Sequence, residues 1–307
     1  PTGATCGGTL AQPGDDPESV LHDAELATRY AVHTSCEAAW FDVSMRDVEH
    51  RQLMLERALQ QAVAEGQLQL HLQPVVDIVD GGIRSFEGLA RWQHPLFGNV
   101  SPAEFIPLAE RSGLIRELGD WCLSAALEVL DDWRRRGVRC VPIAINLSAT
   151  QLLDAAFTSL IVDSVRRHDA IGLLTAEVTE SVLLSPGAGA RLHELVANGI
   201  GVAIDDFGTG FSALSYLAEH PLSTLKIDRS FVTRLAEERN RVLVAGTVDL
   251  AHALGLQTIA EGVETDFELA QLRAMGCDAV QGYLTGRPAP ASTFDDVLGR
   301  SGDAAVT

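Results

Sequence analysis

From about Leu68 onward, hydrophobic and polar positions follow one repeated pattern: a short apolar run, a polar residue at its end, a loop, then a stretch of helical period. That alternation predicts an α/β architecture of parallel strands joined by helical crossovers. The runs are "LQLHLQPVV" (68–76), "SFEGLARW" (85–92), "VPIAINLS" (141–148), "LTAEVTES" (174–181), "GVAIDD" (201–206), "STLKID" (223–228), "QTIAEGV" (257–263) and "DAVQGY" (278–283). Eight such units close a (β/α)8 barrel of the TIM type. Only "DIVDGGIR" separates the first two runs, too short for a helical crossover, so the first strand is expected to be antiparallel to the second. In "GDWCLSAALEVLDDWRRRG" the residues Trp121, Leu123, Leu127, Leu130 and Trp133 fall roughly along one helical face, and Gly137 stops the helix.

Residues 1–66 read differently. "GDDPESVLHDAELATRYAVH" predicts a helix entered through a proline, "AAWFDVSM" a short strand, and "RDVEHRQLMLERALQQAVAEG" a long helix leading into the barrel. So few residues before that last helix do not support a core of their own. The expected division is an N-terminal α+β piece over 1–45, a linker helix over 46–66, the barrel over 67–297 and a flexible tail over 298–307. A start at Pro1 rather than Met suggests a piece of a longer chain.

Composition narrows the function. With 307 residues, 46% of them hydrophobic, there is material for one large core and a smaller attachment. No apolar stretch approaches eighteen residues and no basic-then-apolar leader opens the chain, so a cytoplasmic protein without direct membrane contact is expected. The net charge of -19 disfavours polymeric nucleic acid and anionic lipid, and an acidic site that handles phosphate needs cations. Five scattered cysteines without C-x-x-C spacing read as reduced, mostly buried small hydrophobes rather than zinc ligands. His71, His94 and His220 read as structural.

In a parallel barrel the side chains at the C-terminal ends of strands meet at one mouth. Here they are Glu87, Asn146, Glu177, Asp205, Asp206, Lys226, Glu261 and Gln281. Singly, each reads as a helix cap or a snorkelling side chain. Together the carboxylates repel, and Lys226 supplies a single positive charge. An all-oxygen donor set favours Mg²⁺ or Mn²⁺ over zinc. Adjacent aspartates allow one carboxylate to bridge two ions while its neighbour binds the second, at the separation of about 3.5–4 Å used in two-metal phosphoryl chemistry. Such a pair would hold a phosphate oxygen and acidify a water, with Lys226 positioning that water or relaying its proton. The rival on the same residues is a one-metal enolising barrel with Lys226 as base.

The segments "EGLARWQHP" (87–95), "NLS" (146–148), "EVTES" (177–181), "DDFGTGFSALSYL" (205–217), "LKIDRSFV" (225–232), "EGVET" (261–265) and "QGYLTGRP" (281–288) resemble, in order and spacing, the EAL-domain cyclic di-GMP phosphodiesterases over roughly residues 53–297. The resemblance implies hydrolysis of cyclic di-GMP to linear pGpG. It implies metal ligands at Glu87, Asn146, Glu177, Asp205 and Asp206, with Lys226 and Glu261 acting on the nucleophilic water and Glu264 supporting them. Gln73, Leu89, Arg91, Asp228 and Gln281 would contact substrate or support it. Glu180 would anchor the loop after Asp206, a loop associated with homodimerisation. Two departures stand out: Gly88 replaces the alanine of the namesake motif on the face away from Glu87, and Leu72 stands where an aromatic is usual. "TCGGTLAQPGDDPESVLHDAELATRYA" and "AAWFD" resemble the last third of a GGDEF domain whose signature is absent, so no cyclase activity is expected. Other domains of the parent protein would be partners. The other functions consistent with the resemblance are a sensor that binds cyclic di-GMP without cleaving it, and a structural partner domain.

Overall fold

The computed structural model describes residues 4–34, 36–208 and 214–299. The chain runs through β1 (Cys6–Gly8), α1 (Pro17–His33), β2 (Ala38–Trp40), α2 (Ser44–Ala64), β3 (Leu68–Asp77), β4 (Ile83–His94), β5 (Gly98–Val100), α3 (Pro102–Ser112), α4 (Ile115–Arg136) and β6 (Ile143–Asn146). It continues through α5 (Ala149–Leu153), α6 (Ala155–Arg167), β7 (Leu174–Thr179), α7 (Glu180–Leu183), α8 (Ala188–Ala197), β8 (Gly201–Phe207), α9 (Leu214–Glu219) and β9 (Thr224–Ile227). Last come α10 (Arg229–Val232), α11 (Glu238–Ala253), β10 (Gln257–Ala260), α12 (Asp266–Ala274), β11 (Ala279–Val280), β12 (Ala289–Pro290) and α13 (Asp295–Leu298). Two compact units result, Pro1–Glu65 with Ala103–Leu114, and Gly66–Pro102 with Ile115–Thr307.

The second unit is a closed barrel ringed by helices. From β4 the order is β6, β7, β8, β9, β10, β11, every neighbour parallel, and β3 closes the ring by pairing antiparallel with both β11 and β4. Strands covered on both faces need apolar side chains throughout, which is why runs such as "IAI" and "VAI" carry no alternation. The β3–β4 connection is only Ile78–Gly82, and Asp77 Oδ1 shapes it by accepting from the Val79 and Asp80 N–H groups at 2.7 and 3.2 Å. Outside β4, Phe86 packs against Trp133 of α4 and Phe294, with ring centroids 5.7 and 4.7 Å apart. Along α4 the buried line is Leu123, Leu127, Leu130 and Trp133, while Trp121 is only half-buried. At about 100° per residue Trp121 lies about 200° around from Leu123, so it is not on that face.

Several runs stop short of the expected strand ends. Glu180 and Ser181 already belong to α7, Glu261 lies just past β10, and Gln281 follows the two residues of β11. Glu87, in contrast, sits well inside the twelve residues of β4, because that strand continues beyond its barrel partner to pair with β3 and β5. Leu298 is buried, so the ordered fold extends past the expected start of the tail, and residues 300–307 lie outside the described residues.

In the first unit β1 and β2 pair in parallel across the crossover helix α1. Asp16 caps α1 by accepting from the Ser19 N–H at 3.0 Å, with Pro17 in the first turn. Asp23 of α1 takes two hydrogen bonds from Arg46 of α2 at 2.8 and 2.7 Å. The buried stripe of α2 is Leu55, Leu59 and Ala62, and α3 contributes Phe105, Leu108 and Ala109 to the same unit. Arg51 joins the two helices by donating to both oxygens of Glu104 at 2.6 and 3.1 Å. A unit this small has little interior, and Cys6 and Cys36 are exposed in it, contrary to the expectation for the cysteines as a group; all five thiols are free. Among the described residues no helix is long and apolar enough to cross a membrane.

Candidate active site

β9 delivers Lys226 into the barrel with no solvent exposure. Its Nζ lies 2.6 Å from Glu261 Oε1, 2.8 Å from Glu177 Oε2, 3.1 Å from Asp205 Oδ1 and 3.5 Å from Glu87 Oε2. These four carboxylates arrive from the loop after β10 and from β7, β8 and β4, so one ammonium ties together elements from around the ring. Glu87 is further held from both sides: Asn146 Nδ2 donates to Oε1 at 2.8 Å and Gln281 Nε2 to Oε2 at 2.6 Å. Gln281 Nε2 also reaches Gln73 Oε1 at 3.2 Å, and Gln73 Nε2 donates to the Gly286 carbonyl at 3.3 Å.

Neighbouring residues of a regular strand face opposite ways, so Asp205 and Asp206 would not share a site without a distortion. The distortion is present. The β8–β9 pairing shifts register between Ile204 and Phe207, and Asp206 takes φ 54°, a left-handed conformation that aspartate tolerates. As a result Asp205, Asp206 and Glu261 each place one carboxylate oxygen within 4.8 Å of the others. Gly208, at φ 96°, continues the turn, and its N–H donates to Oε2 of the buried Glu180 at 3.3 Å. A Cβ on Gly208 would stand 2.8 Å from the Phe231 ring, so the turn requires glycine there. The remainder of the loop, 209–213, which was expected to carry dimer contacts, lies outside the described residues.

The electrostatics show a shortage of positive charge. Burial, reinforced by Glu87 and Asp205 and only partly offset by Lys226, holds Glu177 well above the ordinary carboxylate range. Burial likewise pushes Glu261 up to about 7, with Lys226 again opposing. Asp206 is raised by burial and by its neighbours Asp205 and Asp228. Glu87 moves the other way: burial would raise it, but the Lys226 charge and the hydrogen bonds from Gln281 and Asn146 outweigh that. For Lys226, burial would favour the neutral amine, and the surrounding carboxylates overcome it and keep the ammonium. Five acidic groups facing one cation, with oxygen donors only, make a donor set that fits a small hard divalent ion. The closest trio of donors includes Glu261, a residue expected to act on water rather than as a ligand.

The other anticipated residues stand around this cluster. Leu89 and Arg91 follow Glu87 on the same face of β4, and Arg91, half-buried, donates to the Ala90 carbonyl at 2.9 Å. Asp228 caps α10, accepting from the Ser230 N–H at 3.0 Å. Glu264 does not reach Lys226 but pairs with Arg229 Nη2 at 3.0 Å. Arg229 and Tyr283 escaped the sequence reading although they line the same cavity of about 200 Å³ as Gln73, Glu87, Glu261 and Gln281. The available signal was position, since each directly follows or nearly follows a residue singled out, Asp228 and Gln281. A larger groove of about 1000 Å³ lies elsewhere, between β3 and α4, and holds none of the clustered carboxylates. His94 is structural, its Nδ1 accepting from the Leu96 and Phe97 N–H groups at 3.1 and 3.2 Å.

Comparison with known proteins adds to this geometry. The profile of the EAL domain matches residues 56–288. The bifunctional diguanylate cyclase/cyclic di-GMP phosphodiesterase MucR of Pseudomonas aeruginosa is 40% identical over 291 residues, covering 92% of this chain and 42% of that protein. The cyclic di-GMP phosphodiesterase NbdA of the same organism is 37% identical over 299 residues, covering 93% of this chain and 37% of that protein. The chain thus spans about two fifths of the length of these relatives. Among solved structures, the PaMucR phosphodiesterase in complex with cyclic di-GMP superposes with a TM-score of 0.75 at 40% identity, over 78% of this chain and 99% of that one. The EAL enzyme Bd1971 bound to cAMP and cyclic di-GMP gives 0.78 at 30% identity, over 93% and 77%.

Proposed function

The chain belongs to the EAL domain family, and from that premise we propose that it is a phosphodiesterase that opens cyclic di-GMP to linear pGpG with the aid of two Mg²⁺ or Mn²⁺ ions. The observation that carries this reading is the trio of Asp205, Asp206 and Glu261 oxygens gathered within 4.8 Å beside a buried lysine. Asp205, Asp206, Glu87, Asn146 and Glu177 would hold the ions. When bound, these would supply Lewis acidity toward phosphate and lower the pKa of a water.

The chain's own groups account for the proton. Glu261, poised near 7, is suited to accept a proton from the attacking water as the new O–P bond forms. Lys226 holds Glu261 Oε1 at 2.6 Å and Glu177 Oε2 at 2.8 Å, fixing both carboxylates against their mutual repulsion. The P–O3′ bond then breaks with its electron pair on the departing oxygen, which takes up a proton. Gln281 and Gln73 form a polar floor beside Glu87, where Gln73 Nε2, which gives one N–H to the Gly286 carbonyl, keeps its second for a phosphate oxygen.

Residues 1–45 are assigned to the closing part of a GGDEF-like domain, supported by the β1–α1–β2 unit and by a bifunctional relative that aligns over 92% of this chain. Homodimerisation through the loop after Asp206, cytoplasmic location and partnership with other domains of the parent protein belong to the same proposal. Incubation with cyclic di-GMP and Mg²⁺ or Mn²⁺, followed by resolution of the products, tests the activity. Linear pGpG is expected, and turnover should vanish in Glu87→Ala while the fold persists. Bound but intact ligand would identify a sensor instead, and no binding a structural domain. Calcium should inhibit, because its looser coordination does not match the geometry of the smaller ions.

A further inference from the structure

One side chain at the mouth of the cavity has no part in the chemistry above. Arg229, the first residue of α10, lays its stem across Gly262. A Cβ on Gly262 would come within 2.3 Å of Arg229 Cγ, and φ there is 68°, so glycine alone leaves room for this arginine. Its guanidinium reaches Glu264 Oε1 at 3.0 Å, and the side chain as a whole remains 58% exposed. The loops that follow β9 and β10 are thereby tied together at the rim of the site.

The charges of the cavity wall give this position its meaning. Apart from Arg229, the ionised groups lining it are the carboxylates Glu87, Glu261 and Glu264. A cyclic dinucleotide carries two phosphodiesters, and only the one under attack can sit on the carboxylate cluster. The other lies toward the rim, where Arg229 is the cation that lines this cavity. A guanidinium presents five N–H donors in a planar fork, so pairing with Glu264 leaves donors for an incoming phosphate. Resting on the phosphodiesterase reading, we infer that Arg229 binds the phosphate of the substrate that is not cleaved, and that Glu264 is a positioning residue that presents the guanidinium.

The test compares cyclic di-GMP with bis(p-nitrophenyl) phosphate, which has one phosphodiester and no second phosphate, both with Mn²⁺. Arg229→Ala should raise KM for cyclic di-GMP about 10- to 100-fold, the worth of a charge-assisted hydrogen bond, with the smaller effect on kcat. The ratio of kcat/KM for cyclic di-GMP over the small diester should fall by a similar factor. Arg229→Lys should recover much of the ratio. Glu264→Gln, which keeps the arginine but loosens it, should lie between the two. An unchanged ratio in Arg229→Ala, whether from no effect or from equal losses on both substrates, overturns the assignment. A wild-type protein that cleaves neither diester overturns the phosphodiesterase reading, and this inference with it.

Discussion

Replacing Lys226 by methionine removes the one cation at the centre of the carboxylate cluster while keeping most of the side-chain volume. Four carboxylates at 2.6 to 3.5 Å lose the counter-charge of a lysine that solvent does not reach. At an effective dielectric constant of 20, one such pair corresponds to about 4 kcal/mol at 4 Å, but the contributions do not add, because the abandoned carboxylates take up protons. Removing one partner of a buried charge cluster costs about 3–5 kcal/mol. At about 2–4 °C per kcal/mol for a unit of this size, the melting temperature should fall by roughly 6–20 °C. The assay is thermal unfolding of Lys226→Met and wild type in EDTA at about pH 8 and about pH 6. The deficit should shrink at the lower pH, because Glu177 and Glu261, both raised by burial, then meet their own need by protonation. Mn²⁺ should restore more stability to the variant than to the wild type. A melting temperature within about 2 °C of wild type at about pH 8 would refute the view that Lys226 holds the cluster together.

Burial holds the proposed ligands Glu177 and Asp206 above the ordinary carboxylate range, and an ion needs both as carboxylates, so Mg²⁺ affinity measured by calorimetry should weaken as pH falls from about 8 to about 5.5; affinity that stays flat over that range would contradict it. In the metal-free protein the raised pKa of Glu261 contributes stability that is complete below the ordinary value of 4.5 and is lost as pH rises through about 7. Gly88→Ala places a Cβ 3.2 Å from the Ala144 carbonyl oxygen, 3.3 Å from Leu70 Cδ1 and 3.4 Å from Ile143 Cγ2. The entropic gain of about 0.5–1 kcal/mol should roughly cancel this crowding on the face away from Glu87, leaving kcat within about threefold; a tenfold loss would show that position 88 shapes the site. Gly208→Ala meets both a left-handed φ of 96° and the Phe231 ring at 2.8 Å. Backbone strain of about 1–2 kcal/mol, with the clash added, should displace the turn that carries Asp206 and lower kcat at least tenfold, with barrel circular dichroism preserved; normal turnover would mean that the turn tolerates a side chain.

The barrel was legible because its signals are local. Apolar runs closed by a polar residue, and a first connection too short for a helix, announce themselves within a few residues, and the structure follows them from β3 to β11. The charged cluster was legible for a related reason: Glu177 and Lys226 stand inside apolar strands, where an ionisable group has no cause to be unless partners wait for it. Where the signal was periodicity alone, as for Trp121, the sequence could place a residue on a helix but not say what covers it.

Distances across the ring were decided only by the tertiary structure. Whether Lys226 meets one carboxylate or four depends on the register of strands that lie far apart in the chain, and whether Asp205 and Asp206 face one site depends on a bulge between Ile204 and Phe207 that no residue type dictates. The pairing of Arg229 with Glu264 likewise exists because closure of the barrel sets two loops side by side over Gly262. Local propensity fixes which element forms; long-range packing fixes which charges meet, since it alone sets the separation on which their interaction depends.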